Sequence, residues 1–212
     1  MITELSQQQI KQNETLFVKI YTDYVLNNYI GAENLLNYIK STDFFVAPAS
    51  TNGHMSCTGG LCQHTLNVYK KLNELLKNVD LQQLGTDCNG IALIALCHDL
   101  WKCDSYVEDY KNVKVYKETG TKYDGKGKYE WETQKYFRYE PEIQGFGKGG
   151  KSLFIVQNFI KNIPITEASA IRHCMGGYES NMGISENTAP VFSQYPLCAY
   201  LHCADTLVTF TE

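Results

Sequence analysis

The sequence predicts an all-α helical bundle with a small β-hairpin inserted around residues 111–140, and three observations carry that prediction. Apolar residues recur at spacings of three and four through most of the chain. One segment, GIALIALCHDLWK from Gly90, is apolar nearly all round until it reaches His98-Asp99. A single stretch, 111–140, abandons helical spacing and alternates aromatic or β-branched residues with polar ones.

Taken in order, Leu16, Ile20, Tyr24, Val25, Leu35 and Ile39 give amphipathic spacing between residues 5 and 40, with a break near Ile30-Gly31, so a helical pair is expected there. The run APASTNGHMSCTGG, Ala47 to Gly60, is dense in turn formers and reads as a loop entering a helix at about Leu61. His64 then falls on the first turn, and Leu66, Val68, Tyr69, Leu72 and Leu76 give that helix one buried face. The segment from Gly90 fits a central buried helix ending at His98 and Asp99. The alternating stretch follows, with DGKG between its two runs as a hairpin signal. Gly-rich FGKGGKS then leads into the helical pattern SLFIVQNFIKN, which the loop Lys161 to Pro164 ends. Two further helices are predicted at about 165–175 and 195–210. No internal repeat or low-complexity tract interrupts the chain, and 212 residues at 43% hydrophobic composition suit one sizeable core. The expected organisation is a single domain over 1–212, with N-terminal helices at about 5–40, a core bearing the chemistry at about 54–212, and a basic aromatic insertion at about 111–151.

Composition excludes several function classes. The longest clean apolar run, Ile91 to Cys97, is far short of the roughly 20 residues that span a bilayer, so no membrane partner is expected. The polar start MITELSQQQIKQNE has neither the basic opening nor the apolar stretch of a secretory signal, so the expected location is cytoplasmic. The eight cysteines are scattered, form no CxxC pair and lie in a chain too large to need staples; reduced thiols are expected. Cys62, Cys97, Cys174 and Cys203 each lie within two residues of a His or Asp considered below. Without zinc-type spacing, small apolar filler is a plainer account of them than thiolate ligation. The formal charge of −4 conceals an asymmetry. Residues 111–151 hold 10 of the 19 Lys and Arg but 6 of the 23 Asp and Glu, which makes this segment +4 and the remainder −8. A local basic surface on an acidic chain favours a discrete anionic ligand over general nucleic-acid binding.

The candidate chemistry rests on His64, the adjacent pair His98-Asp99, and Asp205, each at the edge of a predicted helix. Singly, each has a plain reading as a core or helix-face polar residue. Two polar groups closing a buried apolar helix nevertheless need partners, because unpaired burial is costly, and a bound cation supplies one. Imidazole with carboxylate suits one divalent ion of Mn, Fe, Ni, Mg or Zn, with positions left open for water.

The runs STDFFVAPASTNGH, GGLCQHTLNVY, ALCHDLWK, GKGGKSLFIVQNFI, AIRHCMGGYE and YPLCAYLHCADTL resemble, in order and separation, those of small bacterial and phage hydrolases of the HD-domain phosphohydrolase superfamily. The likeness covers roughly residues 40–212. It implies an HD-domain helical bundle with His64, His98, Asp99 and Asp205 as metal ligands, and it implies that Lys102 points toward substrate phosphate. Two departures stand out. Relatives often read GHGEKS where this chain has Gly147-Lys148-Gly149-Gly150-Lys151-Ser152, and often carry a His before MGG where this chain has Cys174, with His173 one place earlier. Those two histidines help hold a second ion in two-metal members. A charged lysine is no ligand and repels a second cation, so a one-metal site is expected, with Lys148, Lys102 and Arg172 directing positive charge at substrate. The resemblance also places His54 as a general acid or as the partner that orients a ligand, beside the plain reading of a loop histidine. His173 is a second candidate proton carrier. His202, three residues before Asp205, reads as a neighbour on the same helix face.

The function expected is therefore a metal-dependent phosphohydrolase that uses metal-activated water on a nucleotide or related small phosphate ester. The alternatives are a catalytically degenerate domain that binds or senses a nucleotide, and a single-strand nuclease. The nuclease reading follows from Tyr116, Tyr123, Tyr129, Trp131, Tyr136, Phe137 and Tyr139 among the hairpin lysines, where base stacking competes with the plainer role of covering a core. Nucleic acid is thus the weaker partner expectation, behind a small phosphorylated substrate.

Overall fold

The computed structural model describes residues 4–116, 129–140, 146–179 and 187–211, and it is mostly helical with one two-stranded antiparallel ribbon. Helix α1, Gln7–Tyr21, starts at a capping box in which the Ser6 hydroxyl accepts from the Gln9 N–H and the Gln9 side-chain oxygen accepts from the Ser6 N–H. After a π turn over Thr22–Leu26 the chain restarts as α2, Ala32–Ser41. Gly31 stands at the expected break with φ of +91°, and a Cβ there would run into the Phe159 carbonyl, so the position needs glycine for conformation and for space.

The two central helices follow their sequence patterns. Helix α3, Gly60–Leu76, buries Leu61, Leu66, Val68, Leu72 and Leu76 on one face and His64 among them. Helix α4, Cys88–Cys97, is capped by Asp87, whose carboxylate accepts from the N–H groups of Asn89 and Gly90 at 2.8 and 2.9 Å. Every residue from Gly90 to Cys97 is buried, as an all-round apolar segment requires. His98 and Asp99 close this helix before a 3₁₀ turn over Leu100–Lys102.

The ribbon is longer than expected. Strand β1, Tyr106–Tyr116, pairs with β2, Tyr129–Tyr139, so it begins five residues before the predicted stretch; the DGKG turn signal and Tyr123 lie outside the described residues. Glu108 and Asp109, poor strand formers, are accommodated because Lys135 and Arg138 on β2 pair with them at 2.6 and 3.3 Å. A second boundary also moves. Residues from Lys148, placed by the sequence in the insertion, open helix α5, Lys148–Phe159, because Gly149 and Gly150 let that helix approach Arg172 closely. Helices α6, Ile165–Arg172, and α8, Leu197–Thr211, match prediction, whereas the short α7, Ala189–Gln194, was not expected.

One buried apolar cluster draws on α1 to α6 and α8. Helix α3 packs on α4 and α8, and α6 packs on α4, α5 and α8, which brings the start of α3, the end of α4 and the middle of α8 to one end of the bundle. All eight cysteines are free thiols. Among the described residues no helix is long and apolar enough to cross a membrane.

Candidate metal centre

The four residues singled out as ligands meet at that end of the bundle. His64 sits on the first turn of α3, and its Nε2 lies 3.1 Å from Asp205 Oδ1 on α8 and 3.3 Å from Asp99 Oδ2 after α4. His98 Nε2 lies 3.4 Å from the same Asp99 oxygen. One donor atom each from His64, His98 and Asp99 falls within 4.8 Å of the others, and all three side chains are buried.

The environment of each ring fixes which nitrogen faces inward. His98 Nδ1 lies 2.8 Å from the Ala95 carbonyl, an acceptor only, so Nδ1 holds a proton and Nε2 of the neutral ring presents its lone pair to the cluster. His64 Nδ1 lies 3.1 Å from His54 Nε2 in the turn-rich loop, which again leaves Nε2 facing the carboxylates. Neither buried Nε2 makes a hydrogen bond. The His98 lone pair and the His64 Nε2 atom both face carboxylate oxygens, an arrangement of buried ligand-type atoms that a cation would satisfy. The spacing fits as well. Bonds of about 2.1 Å give neighbouring ligands about 3.0 Å apart in an octahedral shell, close to the 3.1–3.4 Å observed. His64, His98 and Asp99 thus form a buried group that could hold one ion, with Asp205 beside His64.

The charges around the cluster respond accordingly. Burial opposes ionisation of Asp99, but Lys102 and His98 outweigh it and hold its carboxyl well below the ordinary range. Burial likewise acts against the charge on Asp205, and the adjacent His64 reverses it. Burial disfavours a charge on His98, and the adjacent Asp99 outweighs it and raises the imidazole above its ordinary value. His54 shifts the opposite way: burial, then His64 and Lys102, lower it to about 4, so its imidazole is neutral at pH 7. A neutral His54 hydrogen-bonded to His64 holds that ring in place and is poorly suited to donate a proton as a general acid.

A cleft of about 350 Å³ opens over the cluster. His54, His64, Asp99, Lys102, Lys148 and Asp205 all line it, so six of the nine predicted site residues converge on this space, with His98 packed directly behind. Lys102 Nζ donates to Asp99 Oδ2 at 2.7 Å with its side chain 13% exposed. Lys148 Nζ lies 4.9 Å from the centre of the Trp101 ring, and Lys102 Nζ 5.5 Å from it. Arg172 and His173 close α6 and are not among the residues lining the cleft. Cys174, which stands where the resemblance departs from the family's pattern, is fully buried with its thiol 3.7 Å from the His98 carbonyl, so it packs behind the site. Cys62 and Cys97 are buried thiols pushed up to about 12 and higher by desolvation, and Cys203 is exposed; all four thiols stand outside the ligand cluster. His202 Nδ1 lies 2.8 Å from the Cys174 carbonyl and its ring abuts Gly176, which ties α8 to the turn after α6.

Sequence reasoning missed Trp101 and Tyr106, and placed Tyr139 only among the hairpin aromatics. Trp101 Nε1 donates to Asp99 Oδ1 at 2.8 Å while its backbone N–H donates to Ser152 Oγ at 3.1 Å, so this residue both fixes the Asp99 carboxylate and joins the end of α4 to α5. Its position two residues after Asp99 was the available signal, since a buried indole N–H needs an acceptor and the nearest in sequence was that carboxylate. Tyr106 and Tyr139, the first pair of the ribbon, line the cleft wall. Comparison with protein-family models, with curated proteins and with solved structures finds no match to this chain.

Proposed function

We propose that this chain is a metal-dependent phosphohydrolase of the HD-domain type acting on a nucleotide or related small phosphate ester. One observation carries the reading: on the floor of a cleft that Lys102 and Lys148 also line, His64 Nε2 lies 3.1 Å from Asp205 and 3.3 Å from Asp99, and His98 Nε2 lies 3.4 Å from Asp99. His64 and His98 would hold the ion through Nε2, and Asp99 and Asp205 through their carboxylates. When bound, the ion supplies Lewis acidity and an activated water for attack at phosphorus. The chain's own groups do the rest. His54 and the Ala95 carbonyl fix the two rings, and Trp101 fixes Asp99. Lys102 and Lys148 draw phosphate oxygens into the cleft and offset charge that grows on them in the transition state. Tyr106, raised to about 12 by burial and kept from going higher by Lys102, remains protonated and offers an O–H to the same oxygens.

The test is elemental analysis of untagged protein purified without chelator, beside phosphate release from a nucleotide panel with added Mn²⁺. About one ion per chain and turnover, both lost in His98→Ala, are expected; turnover by metal-free Asp99→Ala protein would overturn the reading. A second reading rests on the Lys102 ammonium at 2.7 Å from the very oxygen of Asp99 that faces both histidines, since a resident cation there suits a domain that binds a nucleotide without cleaving it. Saturable nucleotide binding with no phosphate released on long incubation would favour that reading.

A further inference from the structure

The ribbon sorts its residues by face. Directly opposed residues of an antiparallel pair share a face, and faces alternate along each strand. The register therefore gives one face that starts at the Tyr106–Tyr139 pair, continues through Phe137 and Tyr110, and ends on Trp131 and the Tyr116–Tyr129 pair. Five of the six opposed pairs on this face carry at least one aromatic ring, whereas Tyr136 is the one ring on the other. These rings do not cover a core. Tyr110 is 62% exposed, Trp131 61% and Tyr129 41%, a run of apolar surface that calls for a partner.

Three features choose the partner. The face is continuous with the cleft, because its first pair lines the cleft wall. Successive pairs on one face lie about 6.7 Å apart, close to twice the roughly 3.4 Å base spacing of a duplex strand, which is the repeat of a strand drawn out so that one base rests on each ring. The cations are placed for a backbone beside the rings: Lys114 Nζ lies 4.2 Å from the Tyr129 ring centre and 5.2 Å from that of Trp131. Charge alone would not suffice, since Lys135 on this face is already paired with Glu108 at 2.6 Å, so affinity must come from the rings. A mononucleotide would use one pair of the six, and a duplex keeps its base faces stacked away.

We infer that this face is a stacking track for a single-stranded polynucleotide, running from Trp131 toward the cleft. That such a strand would place a phosphodiester over the metal centre rests on the hydrolase reading above; binding to the face does not. Fluorescein-labelled dT12 and rU12, titrated with the full chain in EDTA so that no turnover intervenes, test it. Binding of either is expected, with a 12-base-pair duplex at least tenfold weaker, and the two arms separate DNA from RNA. Affinity should climb from dT2 to about dT6 and then level, and the two-site variant Trp131→Ala with Tyr110→Ala should weaken dT12 by about tenfold or more, by the usual worth of base–aromatic stacking. Gln134→Ala and Val115→Ala on the other face should leave it within about twofold. Circular dichroism and thermal unfolding of each variant check that the fold is intact. No oligonucleotide binding, equal binding of the duplex, or insensitivity to loss of the two rings would overturn the inference. So would a dimer, seen by analytical ultracentrifugation, that Trp131→Glu dissolves, since a second copy would then cover the face. Mononucleotide turnover unchanged in the two-ring variant, with oligonucleotide binding absent in wild type, would remove the track and leave the hydrolase reading standing.

Discussion

At the floor of the cleft Asp99 is 2% exposed and both its oxygens are held, one by the Trp101 N–H and one by Lys102, whereas at the outer end of the ribbon Trp131 is 61% exposed beside Tyr129 and the Lys114 ammonium. The same kinds of side chain serve opposite ends. In the floor, polar groups are desolvated and fixed, so their chemistry depends on every neighbour and a single deletion propagates. On the ribbon, rings stand in solvent on a two-stranded element that has little stability of its own, so each acts nearly independently and is placed to meet something from outside.

The strongest way to break this contrast is Asp99→Ala. Removing the carboxylate leaves the largely buried Lys102 ammonium without its partner and the Trp101 N–H without its acceptor. A loss of about 3–5 kcal/mol in unfolding free energy is expected from urea titration, as when one member of a buried ion pair is deleted, together with loss of bound metal. A loss under about 1 kcal/mol would mean that Lys102 swings into water at no cost and that the floor is as loosely held as the ribbon.

A smaller, pH-dependent effect separates two buried carboxylates. Asp99 is held low by cations, but Glu167 on α6, 3% exposed, accepts from the neutral Thr86 hydroxyl at 2.8 Å, and burial raises it above its ordinary value near 4.5. A raised carboxyl binds its proton more tightly in the folded chain, so its contribution is full below about 4.5 and declines as pH rises through the folded value. Urea unfolding of wild type relative to Glu167→Gln, measured from pH 4 to 8, should therefore show wild type losing ground with rising pH and then levelling. Parallel curves across that range would show that Glu167 is solvated in both states.

Much of this contrast was legible from the chain. Helical spacing located α3 and α4 because a buried face leaves a periodic trace, and the all-round apolar run before His98 marked α4 as central. His64, His98 and Asp99 were readable because they open or close such a helix, whereas Asp205 lies in the middle of α8. What was not legible depended on packing between elements distant in sequence. That Arg172 and His173 stay off the cleft follows from how α6 meets α5 through Gly149, a contact without local signature. The early start of β1 was hidden because Glu108 and Asp109 look unlike strand until Lys135 and Arg138 lie opposite them. The exposure of the ribbon rings was hidden too, since alternation reports two faces and does not say whether either is covered.

The finest test runs along the ribbon itself. Tyr139 at its base meets Trp101 edge-on with ring centres 5.8 Å apart and Tyr106 at 5.7 Å, so it anchors the ribbon to the residue that holds Asp99. Trp131, four pairs further out on the same face, is 61% exposed and meets Tyr129 of its own strand edge-on. Tyr139→Ala should therefore lower stability by about 1–2 kcal/mol through lost aromatic packing, and Trp131→Ala should change it by less than about 0.5 kcal/mol, as an exposed substitution does. Thermal and urea unfolding of the two variants read this gradient directly. Equal losses would mean that the ribbon folds as one unit with the core, and its outer rings would then be held by packing instead of standing ready for a ligand.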